Sequence, residues 1–141
     1  MMRRLTHVGG ARVTIGAGLG LVAAGERRLG IAALLALTVS HIAVQILKRT
    51  VARVRPCDAN GRPLALVDLP DPFSFPSGHA AAVTAIAGTV TLSYPIAGFV
   101  LVPVAALVAY SRVALRVHHL SDVLAGAALG VAGVVAATAL L

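Results

Sequence analysis

LGIAALLALTVSHIAVQIL, Leu29 to Leu47, is nineteen residues without a formal charge, and Lys48 ends it. As a helix rising ~1.5 Å per residue it reaches roughly 28 Å, about the thickness of a hydrocarbon core. VLAGAALGVAGVVAATALL, Val123 to Leu141, repeats the length and the character. Between them the forty residues from Pro72 to Ser111 carry no formal charge, and Ser93-Tyr94-Pro95 divides them. The residue before a proline resists the α conformation, so two apolar segments are predicted there. At about 24 Å each they must stand nearly upright or thin the bilayer locally. Pro103 predicts a kink in the second, tolerable where neighbours satisfy the freed carbonyl.

Val13 to Gly25 is also uncharged but short. It admits three readings: a span beginning near Val8, a re-entrant piece, or the apolar core of a signal peptide behind Arg3 and Arg4. Six glycines from Gly9 to Gly25 make a poor signal core, so a retained span is expected. The fold class is therefore all-α: an integral membrane bundle of about five transmembrane helices. Residues 1–141 are expected to form a single membrane-embedded domain. Small residues recur four apart at Gly16 and Gly20, at Ala80, Thr84 and Gly88, and at Gly126 and Gly130. In lipid such spacing allows close helix approach, although an Ala/Gly-rich chain also produces it by chance.

Composition agrees. Hydrophobic residues make up 58% of the 141 and charged ones only 12%, far too few to clothe a water-soluble core. The net charge of +7 does not indicate nucleic acid, because the arginines form no stripe on a polar face. They gather at the ends of apolar runs, where cations meet head groups or anionic ligands. Cys57 is the single cysteine, so no internal disulfide is available and redox compartment is not indicated. Nothing in the sequence marks an oligomeric state.

Three short strings then stand out: Lys48 with Arg55-Pro56; Pro76-Ser77-Gly78-His79; and Ser111-Arg112 with His118 and Asp122. Each lies at the edge of an apolar segment. Alternating topology puts all three on the same side of the membrane, whichever way up the protein sits. Three cations, two histidines and one carboxylate at one surface are the ingredients of a phosphate-handling site.

In residue type and spacing these strings resemble the signature of the type 2 phosphatidic acid phosphatase family: K-x6-R-P, then P-S-G-H, then S-R-x5-H-x3-D. The resemblance runs from about Leu29 to the C-terminus. One string alone would be weak; three in order with correct internal gaps are specific. The resemblance implies a membrane lipid phosphatase of bacterial type. Its substrate would be a phosphorylated membrane lipid: a prenyl diphosphate, phosphatidylglycerophosphate, phosphatidate, or a prenyl-linked sugar phosphate.

It also implies roles. His118 would be the nucleophile, forming a phosphohistidine. Asp122, four residues on and expected on the same helix face, would fix its tautomer and stabilise the developing charge. His79 would be the general acid, then help activate water. Lys48, Arg55 and Arg112 would hold the non-bridging oxygens, and the amides of Ser77 and Gly78 would face the anion at a helix N-terminus. No cofactor and no metal is implied, since the acids outside the motif, Glu26, Asp58, Asp68 and Asp71, form no spaced cage.

Other residues draw plainer readings. Arg27, Arg28, Arg49, Arg53 and Arg116 read as interfacial cations. His119, about 100° round a helix from His118, is not expected to attack. His41 reads as a bundle-facing polar contact, and Phe73 and Phe75 as lining the substrate's path. Two rivals share the motif: a vanadate-dependent haloperoxidase, which the apolar composition disfavours because such enzymes are soluble, and a non-enzymatic small membrane protein. The resemblance implies a bacterial-type cytoplasmic membrane with the site facing away from the cytoplasm. The positive-inside rule does not obviously agree, since Lys48, Arg49, Arg53, Arg55, Arg62, Arg112 and Arg116 share that face.

Overall fold

In the computed structural model, which describes residues 2–69 and 71–141, the chain forms six helices. They are α1 (Met2–Val8), α2 (Ala11–Ala23), α3 (Arg27–Val51), α4 (Gly78–Ser93), α5 (Pro95–Ala114) and α6 (Leu120–Leu140). Helices α3, α5 and α6 are long and apolar enough to cross a membrane. With the shorter α2 and α4 they make the expected membrane bundle of about five helices, and α1 is an addition that the periodicity did not reveal. Helix α2, at thirteen residues, is only about 20 Å long and so shorter than a hydrocarbon core. Helix α5 runs through Pro103 without ending.

The helices stop where local chemistry stops them. Gly25, at φ +94°, turns the chain from α2 into α3. Ala52, at φ +46°, ends α3 in a left-handed conformation that a Cβ disfavours. Pro95 occupies the first turn of α5, where its missing N–H costs nothing. Arg116, at φ +56°, reverses the chain between α5 and α6. Ala52 and Arg116, the non-glycine residues at positive φ among those described, thus stand beside the signature strings.

Helix α4 lies at the centre, packed on α3, α5 and α6, while α2 lies along α3 and α1 against α5. The core is small side chains: Ala36, Leu37, Ala85, Val134 and Ala137 form its main cluster. Close approach comes from Gly126 and Gly130 on α6. A Cβ at Gly126 would sit 2.3 Å from the Ser77 carbonyl oxygen, and one at Gly130 2.6 Å from that of Ala81. The Gly16 and Gly20 pair meets nothing. The outer face is apolar and uncovered: Ile96 and Phe99 on α5 are each 84% exposed, which suits lipid and not water.

Two ends of the bundle are distinct. At one, Arg28 donates to the Leu141 carbonyl (2.6 Å) and the Tyr94 hydroxyl to Glu26 (2.7 Å). At the other lie the ends of α3 and α5 and the starts of α4 and α6, under residues 52–77, whose described part makes two isolated antiparallel bridges, Val54 with Phe73 and Cys57 with Pro63.

Candidate active site

The segment joining α3 to α4 folds back over the bundle because its backbone is tied on both sides. Ser74 is fully buried; its N–H and hydroxyl donate to the carbonyls of Arg53 (2.8 Å) and Val54 (3.0 Å) respectively. The Ser77 N–H donates to the Asp122 carbonyl (2.8 Å), pinning the start of α4 to the first turn of α6. The Ser77 hydroxyl caps α4 by accepting from the Ala80 N–H. Thus the Ser77 amide, expected to face an anion, is already committed, and the Gly78 amide has no backbone partner among the described residues.

Arg55 is 5% exposed, and three of its five N–H groups are bonded within the protein, which leaves one on each Nη for an anion. Its Nε donates to the Asp71 carbonyl (2.9 Å), Nη1 to the Val117 carbonyl (2.8 Å) and Nη2 to Asp71 Oδ1 (3.1 Å). Lys48 Nζ donates to Asp71 Oδ2 (2.6 Å). One carboxylate therefore bridges two of the three motif cations, and the Phe73 N–H completes its coordination (2.9 Å). Burial alone would raise the Asp71 carboxyl, but the hydrogen bond and charge of Lys48, with the charge of Arg55, outweigh it and hold the group below its usual value. Arg112, also buried, bonds through Nη1 to the Thr6 hydroxyl of α1, while its buried Nε–H has no partner among the described residues.

His118 is 3% exposed and sits in the turn before α6, not on the helix. Its Nδ1 lies 2.6 Å from the Ser74 carbonyl. A carbonyl can only accept, so Nδ1 carries the proton and Nε2 keeps its lone pair. Asp122 is farther away, 3.7 Å from Nδ1. The tautomer is thus set by Ser74 rather than by Asp122, and the expected shared helix face does not exist, because the helix begins at Leu120. Asp122 instead closes a capping box: Oδ2 accepts from the His119 N–H (2.8 Å) and lies 3.2 Å from His119 Nδ1. Burial first, then the charges of Arg55 and Arg112, push the His118 imidazole well below its ordinary value, against the Ser74 bond and Asp122.

Arg53 is a correction. Read as an interfacial cation, it donates to Asp122 Oδ1 (2.9 Å) and to the Ser121 hydroxyl (2.7 Å). His79 stands in the first turn of α4, half-buried, against the α1–α2 joint: a Cβ at Gly9 would fall 3.2 Å from its Cβ.

A cavity of about 630 Å³ is lined at this end by Lys48, Arg55, Gly78, His79, Arg112 and His118 and runs on between α2, α3 and α4. Ser77 and Asp122 lie behind its wall, and Phe73 and Phe75 do not line it. A second opening of about 740 Å³ reaches His79 and Arg112 between α1 and residues 65–68. Three cations can grip a tetrahedral anion there with two imidazoles beside it. Among the described residues no three His, Cys, Asp or Glu side chains group as metal ligands.

Sequence reasoning missed Asp71, Ser74 and Thr6. Asp71 had one usable signal: the chain holds only five acids against twelve Lys and Arg, so an acid close to the P-S-G-H string is a natural counter-ion. Ser74 acts through its backbone and Thr6 through a short helix, and neither leaves a pattern.

Known proteins resemble this chain in sequence and in fold. The model of the PAP2 superfamily fits residues 29–141. An undecaprenyl-diphosphatase of Sulfolobus acidocaldarius is 34% identical over 105 residues, covering 74% of this chain and 51% of its own. A decaprenylphosphoryl-5-phosphoribose phosphatase of Mycobacterium tuberculosis is 44% identical over 97 residues, 65% of this chain and 50% of its own. The chain thus spans about half the length of the curated relatives it matches. The crystal structure of a transmembrane PAP2-type phosphatidylglycerolphosphate phosphatase from Bacillus subtilis superposes with a TM-score of 0.78 at 28% identity, covering 99% of this chain and 74% of that one. That of Aquifex aeolicus LpxE gives 0.82 at 22% identity, covering 98% and 83%, and speaks for the fold alone. With the signature strings gathered at one end of a membrane helix bundle and most of its length fitted by the family model, this chain belongs to the PAP2 superfamily.

Proposed function

We propose that the protein is a lipid phosphatase that removes a terminal phosphate from a membrane lipid through a phosphohistidine on His118, without a metal. The observation that carries this reading is the Nδ1 bond of His118 to the Ser74 carbonyl, which leaves Nε2 as a neutral nucleophile in a cavity lined by three cations.

Lys48, Arg55 and Arg112 hold the non-bridging oxygens. His118 Nε2 attacks phosphorus as the bond to the lipid-side oxygen breaks, and that oxygen leaves with a proton from His79. The imidazole of His118 gains positive charge, which Asp122 at 3.7 Å stabilises while Arg53 and the His119 N–H keep the carboxylate in place. Water then attacks the phosphorus and gives its proton to His79. The N–P bond breaks, phosphate departs, and both histidines return to their starting forms. The cations neutralise charge on the equatorial oxygens throughout, the main task in phosphoryl transfer.

The names of the relatives support prenyl diphosphates, prenylphosphoryl pentose phosphates and phosphatidylglycerolphosphate as substrate classes. The site faces away from the cytoplasm in this reading. Exposed Cys57, one residue beyond Pro56, should then react with a membrane-impermeant thiol reagent in intact cells, and labelling only after lysis would reverse the orientation.

The test is phosphate release by purified protein from these lipids and phosphatidate. His118→Ala should reduce release by about a thousandfold or more. Activity that survives the substitution would refute the covalent mechanism, and strong inhibition by a chelator would refute its independence of metal.

A further inference from the structure

Beyond its cationic end the cavity continues down α3 as a groove walled by α2 and α4. Its α3 lining includes Leu34, Thr38, His41, Gln45 and Lys48, three or four positions apart and so one helical stripe. Along the axis Gln45 lies ~4.5 Å and His41 ~10 Å below Lys48, both inside the uncharged run Leu29–Leu47. Most polar groups of the groove are already satisfied. The hydroxyls of Thr14, Thr38 and Ser40 donate to carbonyls of their own helices or caps. The side chains of His41 and Gln45 make no hydrogen bond among the described residues; His41 is exposed and Gln45 half-buried. His41 thus opens onto the groove between the helices and has no polar partner in it among the described residues. An imidazole and a carboxamide at this depth are costly against hydrocarbon and are tolerated where something polar meets them.

We infer that His41 and Gln45 are specificity-determining residues that bind a hydroxylated, phosphodiester-linked spacer lying between the cleaved phosphate and the apolar tail. This rests on the phosphatase reading and names its substrate class: the terminal phosphomonoester of a sugar or polyol that a phosphodiester joins to a lipid. With the terminal phosphate on Lys48, the spacer runs down the stripe. Gln45, which both donates and accepts, meets hydroxyls, and an imidazole N–H of His41 meets an oxygen of the phosphodiester. A phosphate or diphosphate attached directly to an apolar chain ends its polarity near Gln45 and leaves His41 against hydrocarbon. Glycerol and pentose spacers share the required chemistry, and the substrate panel separates them.

The experiment measures kcat/KM of the full chain in detergent on four lipids: a prenylphosphoryl pentose phosphate, phosphatidylglycerophosphate, a prenyl diphosphate and phosphatidate. The expected result is a preference of about tenfold or more for one or both spacer lipids over the two without a spacer. His41→Ala and Gln45→Leu should each lower that preference about five- to tenfold, the loss expected for one hydrogen bond in a site that cannot replace it, with His41→Asn retaining part of it. A wild-type preference for the spacerless lipids, or variants that slow all four equally, would overturn the inference while leaving the phosphatase reading intact. No release from any of the four by folded protein would overturn both.

Discussion

Replacing Gly126 with alanine tests how closely α6 must sit on α4 for the site to work. The new Cβ would lie 2.3 Å from the Ser77 carbonyl oxygen and 3.1 Å from its carbon, short of ordinary contact at 3.4 Å by about 1 Å. The Ser77 backbone cannot retreat freely. Its carbonyl accepts from Ala81 and its N–H donates to the Asp122 carbonyl, so it is held from both sides. The strain costs about 1–3 kcal/mol, of which the better helix propensity of alanine returns about 1. Folding therefore survives. Geometry does not: Asp122 is one turn above Gly126 and His118 is four residues before Asp122, so a shift of about 1 Å reaches the nucleophile. Misplacement on that scale costs on the order of a hundredfold in rate. The assay is kcat on the preferred lipid, with a thermal melt to show that the variant is folded. Gly20→Ala, where a Cβ meets open space, is the control and should keep its rate. A Gly126→Ala protein retaining more than about a third of the wild-type kcat would show that this contact does not set the catalytic geometry.

Asp71→Asn should strengthen inhibition by inorganic phosphate about three- to tenfold, because the carboxylate that bridges Lys48 and Arg55 competes with any phosphate for them. Its melting temperature should fall as well, and weaker inhibition by phosphate would mean that Asp71 serves only to hold the cations in place. Stability should also decline with acid. His118 in the folded protein titrates below its ordinary 6.5, whereas the unfolded chain takes up that proton near 6.5. Its contribution is therefore full above that pH and is lost as pH falls through the window beneath it. Melting curves from pH 7.5 downward should show the decline, His118→Gln should flatten it, and an equal slope in both proteins would refute the assignment.

The spans were legible because hydrophobic run length is a local property: Leu29–Leu47 lies inside α3, and Val123–Leu141 lies inside α6 but for its last residue. The break between α4 and α5 was equally legible, since Tyr94-Pro95 acts on its own backbone. Helix α1 escaped because seven residues carrying arginine and histidine hold no apolar run. The roles given to Arg53 and Asp71 could not be read. Their partners lie 69 and 23 positions away, and a lone charge in a loop looks the same whether it meets solvent or a buried ion. The spacing of His118 and Asp122 misled for a related reason: four residues place two side chains on one face only if both are helical, and the helix starts between them.

By itself the sequence settled the lipid-facing architecture and the identity of the signature residues, because apolar length and side-chain chemistry belong to each segment alone. Which groups actually touch was decided by tertiary structure. The carbonyl of Ser74 on Nδ1 of His118, the carboxylate of Asp71 across Lys48 and Arg55, and the guanidinium of Arg53 on Asp122 all arise where separate segments close on one another. Hydrogen bonds are decided over tenths of an ångström, and only the packed fold positions distant backbone that finely.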